Sequence, residues 1–335
     1  MEISKVITLL PPREGYCYNV FVKSLRSLSD GRFLAINSPY IDVYDPKTGI
    51  ADIKFIGYKA IQNPNTNQLI LPGPAGYVSI NDLKEGEELS RFLPHEDGIY
   101  SIIHIKGNIF ASCSDDKSIC IWDIENFKIL QKCTGHTDNV TNIILLPDDR
   151  IASSSWDNTI RIWNIKSGAC HVVFNQFKDE PLKGGIKMKV ICINSCAYFI
   201  LSCKDSKLKI LNPKTEKCTF EYEEKNLTFA IPWTQHRFIT NGDNGNINIF
   251  SIFDRKKETI KLHEQWISKA KLIDGNTLLT CSSDTTLKIY DLLNRTILQT
   301  LQGHKKEVIC FARLKDGEIV SGSLDGTIII WKNAT

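Results

Sequence analysis

The sequence repeats itself, and polar residues mark the repeat. A histidine stands at His95, His136, His263 and His304. Seventeen positions on comes a hydroxyl (Ser112, Ser153, Thr280, Ser321), and twenty-one on an aspartate (Asp116, Asp157, Asp284, Asp325). Twenty-seven on comes an aromatic (Trp122, Trp163, Tyr290, Trp331). Fixed offsets held through four copies require one supersecondary unit stacked on copies of itself. The text between the marks alternates with period two: ICIW, IRIW, LKIY and IIIW put every second residue on one side, as a half-buried strand does. Turn signals at Pro147-Asp148-Asp149, Asp274-Gly275 and Asp316-Gly317 precede the hydroxyl-bearing runs. A period of about 41 residues holds four short strands with their turns, and no helical periodicity competes over comparable lengths.

Weaker copies extend the array. Third strands of the pattern IDVYD, VSIND, ICIWD, IRIWN, LKILN, INIFS, LKIYD and IIIWK end near positions 45, 82, 123, 164, 212, 251, 291 and 332. That is eight units in 335 residues, expected as one domain over 1–335. The longest spacing falls in the Lys-rich text around Phe177–Lys189, expected to be a loop insertion. Copy five keeps only Asp205, and copy six has Thr240, Asn244 and Phe250.

Composition removes other classes. With 42% hydrophobic and 24% charged residues the chain is an ordinary globular one, and no apolar run approaches the roughly 18 residues of a membrane helix. The start MEISKVITLLPPREG lacks the basic and apolar regions of a signal peptide. A net charge of +3 does not mark a nucleic-acid binder. The eleven cysteines include no CxxC pair, so no metal site is expected and the thiols read as small buried hydrophobes of a cytosolic or nuclear protein.

Thr134-Gly-His136 followed by IRIWN, and Gln302-Gly-His304 followed by IIIWK, resemble the GH…WD signature of WD-repeat β-propellers. The resemblance is strong over residues 95–164 and 263–332 and weak elsewhere. It implies an all-β closed propeller of four-stranded blades, eight in number, with seven as the other count. IIIWK ends a third strand, so the alternating segment Ile3–Leu9 is expected to supply the missing fourth and close the ring.

A serine, a histidine and an aspartate in one unit invite a hydrolase reading. An enzyme needs one such constellation, however, and here four recur with no GxSxG elbow. A buried hydrogen-bonded chain within each blade accounts for all four copies. Tyr290 departs from tryptophan, so its blade must close through a phenol or remain incomplete. No cofactor is expected, and the protein reads as a non-enzyme.

The resemblance also implies where partners dock: the third and fifth positions after the loop histidine and the one before the turn aspartate. Those positions hold Tyr100 and Asp115; Asn139, Thr141 and Trp156; Trp266, Ser268 and Ser283; and Glu307 and Leu324. In the weaker copies they hold Lys187, Lys189 and Lys204, then Asn226, Thr228 and Asp243. Residues 178–217 carry nine lysines against four acids, a solvated face or a patch for an acidic partner. Trp156 and Trp266 beside these lysines suggest an apolar side chain taken next to an acidic or phosphorylated group. The expected protein is a scaffold or adaptor binding a partner protein or peptide on the narrow propeller face, a monomer within a larger complex. One alternative is a phospho-motif receptor of a ubiquitin ligase, which would place arginines before the turn aspartate, where none stands. Another is a phosphoinositide-binding propeller, whose FRRG motif is absent.

Overall fold

Every repeat unit becomes a sheet because its four alternating runs are joined by tight turns, which leave no choice but an antiparallel meander. The computed structural model describes residues 1–9, 21–146, 148–174, 187–193, 196–202, 207–212, 217–223, 227–234 and 236–332. Among them are eight four-stranded sheets. The unit whose copy is weakest at its start, blade two, still forms a full sheet: Ile61–Gln62 is short but pairs with Gln68–Pro72. The blade count is therefore eight and not seven.

Seven blades run in chain order, and the eighth does not. Its order is Glu2–Thr8, Thr327–Lys332, Ile319–Ser323, Val308–Arg313. Ile3 lies opposite Trp331, Val6 opposite Ile329 and Thr8 opposite Thr327. The two ends of the chain thus complete one sheet, as the alternation of Ile3–Leu9 predicts, with the strand shifted by one residue. Third strands end where the repeat places them: Asp82, Asp123, Asn164, Asn212, Ser251, Asp291 and Lys332, with Tyr44 in blade one. One expectation is corrected. The run around Phe177–Lys189 is not all loop, since Lys187 opens the strand Lys187–Ile193; residues 177–186 lie outside the described part.

The described residues group into two compact units, Met1–Tyr58 with Thr228–Thr335, and Lys59–Leu227. Within each, the core lies between neighbouring sheets. Ile105, Ile119, Ile121 and Cys133 of blade three pack on Val140, Ile143, Ile151 and Trp163 of blade four. Leu279, Leu287 and Leu301 of blade seven pack on Phe311, Ile319, Ile329 and Trp331 of blade eight. No single sheet could bury its faces alone, so stacking is obligatory. The third-strand aromatic sits in this layer beside its cross-strand partner. Phe110 stacks on Trp122 at 5.3 Å, Phe238 on Phe250 at 5.0 Å and Phe33 on Tyr44 at 5.4 Å.

The turn after each signature aspartate requires a left-handed residue: Lys117 (φ 67), Asn158 (φ 63), Thr285 (φ 73) and Gly326 (φ 78). Asparagine and glycine suit that region, but a β-branched threonine is strained there. Thr285→Asn should raise the stability by about 1 kcal/mol, read as a higher urea midpoint at unchanged slope. No gain would mean that the Thr285 side chain makes compensating contacts.

Candidate functional site

The signature residues assemble as one chain per blade. In blade three His95 Nδ1 lies 3.0 Å from Asp116 Oδ2, His95 Nε2 lies 2.8 Å from Ser112 Oγ, and Trp122 Nε1 donates to that hydroxyl at 3.0 Å. Blade four repeats this with His136–Asp157 at 2.8 Å, His136–Ser153 at 2.7 Å and Trp163–Ser153 at 2.7 Å. In blade eight His304 lies 3.3 Å from Asp325 and 2.8 Å from Ser321, and Trp331 donates to Ser321 at 2.8 Å. A carboxylate only accepts and an indole only donates. This assigns the imidazole proton to Nδ1 and sends the serine proton to Nε2.

Blade seven stops one residue short. His263 reaches Asp284 and Thr280 at 2.8 Å each. No indole meets Thr280, whose Oγ1 instead also lies 3.2 Å from the carbonyl of Lys288. The Tyr290 phenol lies near Arg295 instead. Blade six shows what a further loss does. It has Thr240 without a loop histidine and Phe250 in place of tryptophan, and the Thr240 hydroxyl is buried with no partner.

Two more positions belong to the network. Nineteen residues after each histidine stands Ser114, Ser155, Ser282 or Ser323. Its hydroxyl donates to the carbonyl of Asp97, Asp138, Gln265 or Lys306 at 2.9–3.0 Å and accepts the N–H of the turn aspartate at 3.1 Å. Twenty-three residues after the histidine stands Ser118, Thr159, Thr286 or Thr327, donating to the second carboxylate oxygen at 2.5–2.7 Å. Both offsets stand in the sequence, but serine and threonine are too common in strands to draw notice beside His, Asp and Trp.

The order of groups is that of a nucleophile, its base and an orienting carboxylate. Yet Ser112, Ser153, Thr280 and Ser321 are each 0% exposed, and in three blades an indole N–H already occupies the hydroxyl. A nucleophile with no surface meets no substrate, so these constellations brace the fold. Among the described residues no cluster of His, Cys, Asp or Glu could hold a metal ion.

The exposed positions sort into two groups. In the unit Lys59–Leu227, Tyr100, Asp115, Asn139 and Trp156 touch one another. The rings of Tyr100 and Trp156 are 6.1 Å apart, the Asn139 amide donates to Asp115, and the Tyr100 phenol lies close to both Asp115 and Asn139. Burial raises the Asp115 carboxyl above its ordinary range. The neighbouring Tyr100 and Asn139 partly offset this, and the nearby Asp97 adds to it. Trp156 keeps 37% of its surface open. Thr141 stands half-buried on the strand Val140–Leu145. Lys59, whose ammonium donates to the Tyr100 carbonyl, carries no sequence signal because it sits in a linker between blades. In the other unit Trp266 is half-buried and its carbonyl accepts the Ser283 N–H at 2.8 Å. Ser283 Oγ donates to Glu307 at 3.1 Å, Leu324 N donates to the Glu307 carbonyl at 3.0 Å, and Ser268 is half-buried. One rule covers both groups: the residue before a turn aspartate bonds the third residue after the next blade's histidine. Asp243 is exposed in a 3-10 turn. Lys187 and Lys189 stand on the strand Lys187–Ile193, while Lys204 and Asn226 lie outside the described residues. Thr228 donates at 3.4 Å to the carbonyl of Ile267.

Removing a turn carboxylate should be costly. Asp157→Ala leaves His136 and Thr159 without their acceptor and should lower stability by about 1–3 kcal/mol, measured by urea or thermal denaturation; an unchanged midpoint would refute the bracing role. The same carboxylates set an acid limit. Burial alone would raise Asp116, Asp157, Asp284 and Asp325, but hydrogen bonds from His95, His136 and the neighbouring hydroxyls and N–H groups hold all four below the ordinary range. The folded chain therefore binds fewer protons than the unfolded one just under that range. Their contribution is complete above about pH 4 and falls away as the pH drops through the folded values. Midpoints followed from about pH 6 to pH 3 should decline in that direction, and Asp157→Asn should decline less.

Comparison with known proteins agrees with this geometry. The family model for the WD domain, G-beta repeat, matches residues 86–123, 127–164, 256–291 and 295–332. Each match starts at the outer strand of one blade and ends with the third strand of the next. The chain is 37% identical over 87 residues to the protein transport protein SEC13 of Mycosarcoma maydis, covering 24% of each. It is 44% identical over 59 residues to the intraflagellar transport protein 122 homolog of Danio rerio, covering 17% of this chain and 5% of that one. The Xenopus tropicalis homolog is 37% identical over 79 residues, 23% of this chain and 7% of the relative. The matched segments thus span a quarter or less of these relatives. The crystal structure of the computationally designed Ika8 protein has the same fold, with a TM-score of 0.74 at 21% identity over 94% of this chain and 96% of that one. With braced blades at the four matched segments and the same four-stranded sheet recurring among the described residues, the chain carries four WD repeats.

Proposed function

We propose that this protein is a non-enzymatic scaffold or adaptor that recognises a partner protein or peptide through exposed positions at the blade turns. The observation that carries this reading is the Trp156 cluster. A large aromatic left more than a third open, backed by Tyr100 and by the Asp115–Asn139 bond, is a pre-ordered anchor for an apolar side chain. The relatives support the same class of role, being by name a protein transport protein and intraflagellar transport proteins. The carboxylates of Asp97 and Asp115 flank Tyr100, so the partner offers donors there and an apolar group at Trp156. An acidic or phosphorylated feature of the partner fits instead the lysine-bearing positions Lys187, Lys189 and Lys204 of blade five.

A pull-down comparing the intact protein with the Trp156→Ala/Trp266→Ala double variant tests this. Partner recovery should fall about tenfold or more, since aromatic anchors often contribute upward of 2 kcal/mol, with the melting temperature little changed. Unchanged recovery of the same partners would remove these two side chains from the interface.

A further inference from the structure

Where the first strands of blades seven and eight end, Ile267–Leu272 and Val308–Arg313, their turns leave a hollow of about 430 Å³. Its wall carries Lys271, Arg313 and Lys315, with Leu272, Ile273 and Leu314 between them. Arg313 Nη1 donates to the carbonyl of Ile273 at 2.6 Å, which fixes the guanidinium at the rim. Lys315 Nζ donates to the carbonyl of Ser29 at 2.8 Å and keeps two further protons. Hydrogen bonds from Asn276 and Thr277, and the charge of Arg313, hold the Asp274 carboxyl below its ordinary range.

The acids nearby are held mainly by other groups. Asp274 accepts the N–H groups of Asn276 and Thr277 at 2.9 and 2.7 Å, and Asp316 accepts that of Glu318 at 3.2 Å. Glu318 pairs with Lys332 at 3.1 Å. Positive charge also continues inward along the strand. Lys269 shares a face with Lys271, and its ammonium donates to the Phe311 carbonyl at 2.9 Å and lies 5.1 Å from that ring. Burial pushes this ammonium below its ordinary value, and the like charges of Lys271 and Arg26 push the same way. Three cations set against the single carboxylate of Asp274 leave the wall positive, the condition under which an anion gains from entering.

We propose that this hollow is a binding site for a small polyphosphate-bearing molecule, held by Lys271, Arg313 and Lys315. The volume lies within the range of small-molecule sites. The cations converge from two strand ends and a turn and do not form a line, so a compact polyanion fits better than an extended acidic segment. The planar guanidinium and the lysine ammonium groups match phosphate oxygens. This site is independent of the Trp156 and Trp266 positions.

Titration of the full chain with inorganic tripolyphosphate, followed by calorimetry and by thermal shift, tests the proposal. The intact protein should bind saturably, melt higher with the ligand present and lose affinity with added salt. Lys271→Glu/Lys315→Glu exchanges two exposed side chains, so its unliganded melting curve should stay close to that of the parent. Its affinity should drop by about tenfold or more through loss of two charge-assisted contacts. Reversal of an exposed lysine in the other unit, Lys166→Glu, should change little. Absence of saturable binding, equal loss in the Lys166→Glu control, or unaltered affinity in the double variant would overturn the assignment. A phosphoserine peptide that binds while tripolyphosphate fails to compete would overturn it as well.

Discussion

The buried hydroxyl at the centre of each complete blade is the constraint on which the others rest. It accepts the indole proton and passes its own to the imidazole, whose other nitrogen is tied to the turn aspartate. Remove any partner and a desolvated donor or acceptor is stranded, at a cost larger than the bond itself contributes. The chain of bonds joins three separate pieces of backbone: the loop entering the blade, the middle of its second strand and the turn to its third. Ser155 accepts the backbone N–H of the same aspartate, and Thr159 donates to its carboxylate. A tight turn and an irregular loop are thereby held as firmly as a strand ladder holds its own residues.

That bracing explains why the exposed positions can differ while the fold repeats. The positions before the turn aspartate and after the loop histidine project from backbone fixed by the network, so their side chains are free to be Trp, Asp, Ser or Leu. Two such positions also link consecutive blades, as Asp115 with Asn139 and Ser283 with Glu307. Blade six, without the loop histidine or a third-strand tryptophan, holds its loop by other means: Asn241 Oδ1 accepts the N–H groups of Thr228 and Phe229 at 2.7 and 3.3 Å. One amide there replaces part of what serine, histidine and aspartate do together, and the Thr240 hydroxyl is left over.

Strand positions and blade number were legible in the sequence because period-two alternation and the third-strand aromatic are both imposed by burial in the layer between sheets. The closing strand Glu2–Thr8 was legible for the same reason. The ligation of Ser114 and Ser118 was present as fixed offsets but masked by how often hydroxyls occur in strands. Inter-blade contacts were not legible. Nothing in the text near Asp115 says that Asn139, twenty-four residues on, will donate to it, since that depends on how two sheets stack. Lys117 and Thr285 were equally silent, because their left-handed backbone is forced by the aspartate-centred turn against their own preference.

The near-neutral charge of the whole chain is the least informative of its sequence properties. A total of +3 conceals a Tyr100–Trp156 cluster flanked by Asp97 and Asp115, and a hollow walled by Lys271, Arg313 and Lys315. Repetition makes this segregation inexpensive. Each blade contributes a few exposed positions to the surface while its internal bonds are satisfied locally, so charge of one sign can collect at one set of turns without disturbing the network beneath. Unpaired like charges held close together destabilise the folded state slightly, and rigid blades tolerate that cost. The chemical character of the surface therefore lies in local groupings of turn residues, each completed by the neighbouring blade.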